Sequence, residues 1–211
     1  MLYTIRIVLV LLLAFFSYLM LELSLPYIVM RSDVDFLQTK QNVYHITYWR
    51  WSFYVHVFTS IFVLIAGFTQ FSKYLQRKYK RVHRFFGYLY VLLVVFVTGP
   101  AAFMMGWHAN GGLPARTSFT LLAFLWIAFT ACAWYYATRK NFVVHRKFMI
   151  RSYALTLSAI TLRLYTILFE YLNVHARPVD IYITTAWLSW VPNLIIAEII
   201  INSVRNKKNT V

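Results

Sequence analysis

The chain has 211 residues, of which 61% are hydrophobic and only 13% charged, with a formal net charge of +15 and a mean hydropathy of +0.60. That balance excludes a soluble globular domain, whose single core cannot absorb so much apolar surface. It also leaves no room for a separate catalytic domain.

The apolar residues fall into six stretches, at approximately 4–25, 51–71, 84–105, 117–137, 148–170 and 182–203. Each has the roughly 20 residues needed to cross about 30 Å of hydrocarbon. Lipid leaves backbone N–H and C=O groups no external partner, and the stretches lack the alternation of barrel strands, so each is predicted to be a helix. The expected fold is an all-α integral membrane protein: one six-helix transmembrane bundle over residues 1–211. The first stretch follows Arg6 and resembles the apolar part of a signal peptide. Its apolar character continues through Tyr18 to Leu21 without a small-residue cleavage pattern, and it is read as an anchor.

Fifteen of the Lys and Arg residues fall on one side of this six-helix layout and five on the other, with Arg163 inside a helix. Because cytoplasmic loops carry the excess of Lys and Arg, both termini are expected in the cytoplasm and the chain in the cell membrane. The positive charge is thus a topology signal assisted by anionic lipid, and a nucleic-acid partner is not expected. Tyr44, Tyr48, Trp49, Trp51, Trp107, Trp187 and Trp190 fall near the outer boundaries, where amphipathic rings favour the interface. Pro100 and Pro192 read as helix kinks. Cys132 is the single cysteine and lies within an apolar run, so no internal disulfide forms.

Ionisable groups inside a span mark candidate sites, because burying them in hydrocarbon is costly. In the fifth span, His145, Ser152, Thr156, Arg163 and Glu170 project within about 20° of one line at helical spacing. This stripe must face protein or water. One reading makes it polar glue, with Arg163 neutralised by Glu170 or Glu22; the other makes it the lining of a site. The second span carries a weaker counterpart in His56, Ser60, Val63, Gly67 and Gln70.

His83 and His145 lie at the same depth, at the cytoplasmic edge of two different spans, and each is followed by an arginine. Two such histidines are candidates for bis-imidazole ligation of a b-type haem iron, with Arg84, Arg146 and Arg151 placed to meet propionates. His56 and His108 lie towards the other face. His45 and His175 fall in outer loops and are read as solvated. No Walker loop, dinucleotide glycine pattern, zinc-protease helix or nucleophile elbow occurs, so soluble-type nucleotide and hydrolase chemistry is unsupported.

The stretches HVFTSIFVLIAGFTQF, VHRFFGYLYV and VHRKFMIRSYALTLSAITLRLY, within about residues 52–165, resemble a family of membrane proteins catalogued as domain of unknown function 2306. The resemblance implies a helical membrane fold and emphasis on His56, His83, His145, Arg151 and Arg163, but no reaction. The layout is also similar to two-haem b-type cytochromes, which pair histidines near both membrane faces. It departs from them in the fourth span, which has no histidine, so a second haem would need His108 opposite His56.

Three functions follow as expectations. The first is an electron-transfer protein holding haem b between His83 and His145 and exchanging electrons with quinone or a redox subunit. The second is a small transporter or proton-linked permease with Arg163, Glu170 and Glu22 along its path. The third is a non-catalytic subunit or assembly factor of a membrane complex.

Overall fold

The computed structural model describes residues 2–209 of the chain, with side chains assigned from Val8 to Ser203 apart from Leu9. Arg6, Arg205, Lys207 and Lys208 therefore belong to the charge argument alone. Among the described residues the structure is all-helical, and six helical spans are long and apolar enough to cross a membrane. The chain forms α1 (Leu2–Ser24), a short 3-10 turn, a capping segment with α2 (Gln41–Tyr44), α3 (Thr47–Thr69), α4 (Lys73–Lys78) and α5 (Lys80–Leu92). There follow α6 (Gly99–Trp107), α7 (Gly112–Thr138), α8 (Phe142–Thr156), α9 (Ser158–Tyr171), α10 (Pro178–Leu188) and α11 (Val191–Asn209).

Three of the spans are interrupted, each for its own reason. The third joins α5 to α6 through a π-helical stretch, Leu93–Thr98, just before Pro100. Proline cannot donate to the preceding turn, and a wider turn is one way to accommodate it. The sixth span breaks at Ser189 and Trp190, two residues ahead of Pro192. The fifth turns at Leu157 between α8 and α9 with neither proline nor glycine there.

The two breaks in the fifth and sixth spans are tied together. Asn193 donates its amide to the carbonyls of Ala154 (3.2 Å) and Ser189 (3.0 Å) and to the Thr161 hydroxyl (3.1 Å), while the Thr161 hydroxyl itself donates to the Ser189 carbonyl. Carbonyls left without their helical partners are satisfied by side chains at this joint, as hydrocarbon requires.

At the centre, Tyr90 of α5 is fully buried, and its hydroxyl meets Ser152 (2.7 Å) and Thr156 (2.8 Å) of α8. Trp126 of α7 donates its indole N–H to Thr156 (3.0 Å), and Thr130 joins Ser152 at 2.6 Å. This closed hydroxyl network binds the third, fourth and fifth spans, and the predicted inward stripe of the fifth span supplies two of its members. Gly67 of α3 lets these helices meet. A Cβ there would stand 2.6 Å from the Tyr153 ring and 2.7 Å from that of Tyr90.

Leu, Ile, Val and Phe side chains remain exposed along every span, as lipid-facing surfaces should. Tyr48, Trp51 and Trp107 are exposed at the predicted boundary. Trp49 and Trp190 are not: they are 1% and 5% exposed and belong to the interior. The segment from Leu25 to Tyr44 folds over the end of the bundle and carries Tyr27 and Leu37 onto Trp49, Phe53 and Tyr54, which explains why Trp49 leaves the boundary for the core.

Candidate functional site

The polar residues singled out in the sequence divide into two groups by depth. His83 and His145 lie at the face that carries the basic segments around α4 and the α7 to α8 turn. His56 and Arg163 lie towards the opposite face.

His83 opens α5, one turn after its start at Lys80. Its carbonyl accepts from Gln70 of α3 (3.2 Å), which ties the two helices together at that point. Its ring nitrogen Nδ1 is buried and has no partner among the described residues. His145 stands in the first turn of α8, whose N-terminus is capped by the Asn141 side chain. Its Nδ1 lies 2.8 Å from the Ala133 carbonyl of α7. A carbonyl can only accept, so Nδ1 carries the proton and Nε2 keeps its lone pair.

The three arginines expected beside them behave differently. Arg84 and Arg146 are exposed, and Arg84 makes a long contact with the Lys80 carbonyl. Arg151 is committed elsewhere: its guanidinium forms a bidentate pair with Glu198 of α11, at 2.5 and 2.8 Å, and lies over the Phe148 ring. A paired guanidinium is not free for a propionate, so the expected role of Arg151 gives way to a structural one.

The second group faces a cavity of about 630 Å³ between the ends of α1, α3, α6, α7 and α9 and the capping segment. His56 enters it from α3, with Nδ1 donating to the Thr98 carbonyl at 3.3 Å. Arg163 enters from α9, donating to the Ala159 carbonyl one turn back (2.7 Å). Neither Glu170 nor Glu22 neutralises it. Glu22 accepts from the Tyr18 hydroxyl on α1 (2.5 Å), and Glu170 lines a separate shallow depression with His175. The three residues of the expected transport path are thus brought to three different places: Arg163 and Glu170 stand about two turns apart on α9, and Glu22 is on α1.

His108 does not face His56. Tyr48 meets its Nε2 at 3.2 Å and the Met104 carbonyl its Nδ1 at 3.3 Å, so both nitrogens are occupied, and no second histidine lines the cavity.

Sequence reasoning missed Lys40. It was counted among loop cations, yet it is 2% exposed. Its ammonium donates to the His108 carbonyl and the Asn110 side chain, both at 2.8 Å, and stands 5.5 and 6.0 Å from the Phe36 and Trp49 ring centroids. Burial, and secondarily the charge of Arg116, pushes it down to about 8. Trp49 was likewise missed: its indole N–H is buried without a partner among the described residues. No residue pattern separates these two from ordinary loop and interface positions.

This arrangement, six apolar helices enclosing imidazole and guanidinium groups at two depths, defines a polytopic helical membrane protein with polar interior sites. The family model described as predicted membrane protein DUF2306 matches residues 53–201, and the chain belongs to that family. The match takes in every histidine and arginine of both groups but leaves out α1 and the capping segment with Lys40. No curated protein and no solved structure matches the chain.

Proposed function

We propose that the protein is a membrane electron-transfer protein that holds one b-type haem between His83 and His145. The observation that carries this reading is the state of the two rings. His145 is locked by the Ala133 carbonyl into the tautomer that leaves Nε2 free to ligate, which is the outer-shell arrangement common to metal-binding histidines. His83 is a ring whose buried Nδ1 has no partner among the described residues. An orphaned buried polar atom is costly, and an imidazole bound to iron is one way to make use of the ring.

When bound, the haem supplies one-electron chemistry, with its potential set by axial ligands and nearby charge. The chain's own part is to orient the two imidazoles. Asn141 fixes the start of α8, Ala133 fixes the His145 ring, and Gln70 holds the α5 backbone at His83. Arg84 and Arg146, exposed beside the two histidines, remain available to carboxylates, whereas Arg151 does not. The position at one membrane edge favours exchange with a quinone or a redox subunit at that face.

The test is an absorption spectrum of the purified chain expressed with haem supplied. A Soret band that is lost in both His83→Ala and His145→Ala is expected. A colourless protein, or a band retained by both variants, overturns the reading.

A further inference from the structure

The cavity at the opposite face plays no part in the haem reading. Its volume, about 630 Å³, falls in the range of roughly 300–1,000 Å³ typical of small-molecule sites. Most of its wall is apolar, with Met20, Leu64, Leu122 and Leu155 among the lining side chains. The polar remainder is unbalanced in one direction.

Its charged side chains are two cations, Lys40 and Arg163, and one carboxylate, Asp35. The Trp49 indole N–H is buried and unpartnered among the described residues, on a ring that is 1% exposed and lines the cavity. The Lys40 ammonium stands 6.0 Å from that ring. Arg163 lines the same cavity and has no carboxylate partner among the described residues. Trp49 stacks on Phe53 and Phe53 meets Tyr27 edge-on, and these three rings line the cavity together with Arg163. Asp35, exposed, is the one carboxylate in the lining. Arg116 adds a further positive charge near Lys40.

Two cations in the lining of a mostly apolar chamber attract an acceptor-rich, negatively charged group, because low-dielectric walls strengthen its interaction with them. An arginine within a span without a carboxylate partner is costly, and an anionic ligand offsets that cost. The hydrocarbon surface beside the donors calls for an apolar tail.

We propose that this cavity binds a single-chain anionic amphiphile, its carboxylate or phosphate head on the guanidinium of Arg163 and within the field of Lys40, and its tail along Met20, Leu64 and Leu155. The bend between α8 and α9 makes the space. Leu155, Thr156, Ser158 and Ala159 line the cavity directly around Leu157, so a straight helix would carry Arg163 along a different line.

Binding of radiolabelled palmitate, hexadecyl phosphate and hexadecanol to the full chain in maltoside micelles tests the proposal. Both anions are expected to bind about tenfold or more tightly than the alcohol, the size of one charge-assisted contact. Arg163→Gln and Lys40→Gln should each reduce that preference by about fivefold, and either variant suffices if the other fails to fold. Ala159→Trp, which fills the chamber, should abolish binding of all three.

Native mass spectrometry of protein taken from its membrane separates the sources. A bound anionic lipid that is lost in Ala159→Trp supports a bilayer ligand. An empty protein that still prefers palmitate supports a free amphiphile. Equal affinity for palmitate and hexadecanol, or a preference retained by both charge variants, overturns the proposal. So does a Soret band lost in His56→Ala, which would give the cavity to a porphyrin. Failure of the haem reading alone leaves these outcomes unaffected, since His83 and His145 do not line this cavity.

Discussion

Arg151 of α8 and Glu198 of α11 meet in a bidentate pair across 47 residues of sequence. The pair is half-buried at the membrane edge, where water screens it less than on a soluble surface. Removing one partner leaves an unpaired charge against hydrocarbon. Glu198→Ala is expected to lower stability by roughly 1–3 kcal/mol. The double variant Arg151→Leu with Glu198→Leu should recover part of that loss, because replacing both partners by apolar groups removes the orphan. Thermal unfolding of the four proteins in detergent completes the cycle, and additive losses would show that the pair does not couple.

Gly67 is required by contact rather than by backbone angle. Gly67→Ala drives a methyl group into the rings of Tyr153 and Tyr90, and overpacking of this kind costs typically about 1–3 kcal/mol. The variant should unfold at lower temperature, and Gly67→Val at lower temperature still.

The Tyr90 hydroxyl joins Ser152 and Thr156, and all three side chains are buried. Tyr90→Phe keeps the ring and removes the junction, at an expected cost of about 1–2 kcal/mol. Hydrogen exchange of α8 amides should rise more than that of α7, because Trp126 and Thr130 keep their bonds to α8 while α5 loses its own.

Lys40 gives a pH dependence. Below about pH 8 the folded and unfolded chains both hold its proton. Between about 8 and 10.5 the unfolded chain keeps the proton and the folded chain sheds it, so the Lys40 contribution to stability rises across that window. The His108 carbonyl and the Asn110 side chain accept from the ammonium and Arg116 is its charged neighbour, and Lys40→Met should flatten this part of the stability curve. If the cavity takes an anionic head, the preference for palmitate over hexadecanol should weaken as pH climbs through about 8.

The spans were legible in the sequence because run length and apolarity are local properties; the helices extend a few residues beyond the predicted edges, as α3 does to Thr47 and α5 to Lys80. The inward stripe of the fifth span was legible from His145 to Arg163, whereas Glu170, its last expected member, is exposed. Partner identity was not legible. Arg151 is paired with Glu198, whereas Arg163 has one bond, to the Ala159 carbonyl of its own helix, and choosing between these outcomes needs the relative rotation of helices that are distant in sequence. Lys40 was invisible for a related reason: its burial comes from a capping segment whose fold depends on Trp49 and Phe53 of another helix.

One amide, that of Asn193, serves both bends of the fifth and sixth spans. The two outer half-helices are therefore jointed at a common pivot and cannot swing independently. A force applied to α9 from the chamber side is handed to the sixth-span joint through Asn193 and through the Thr161 hydroxyl on the Ser189 carbonyl.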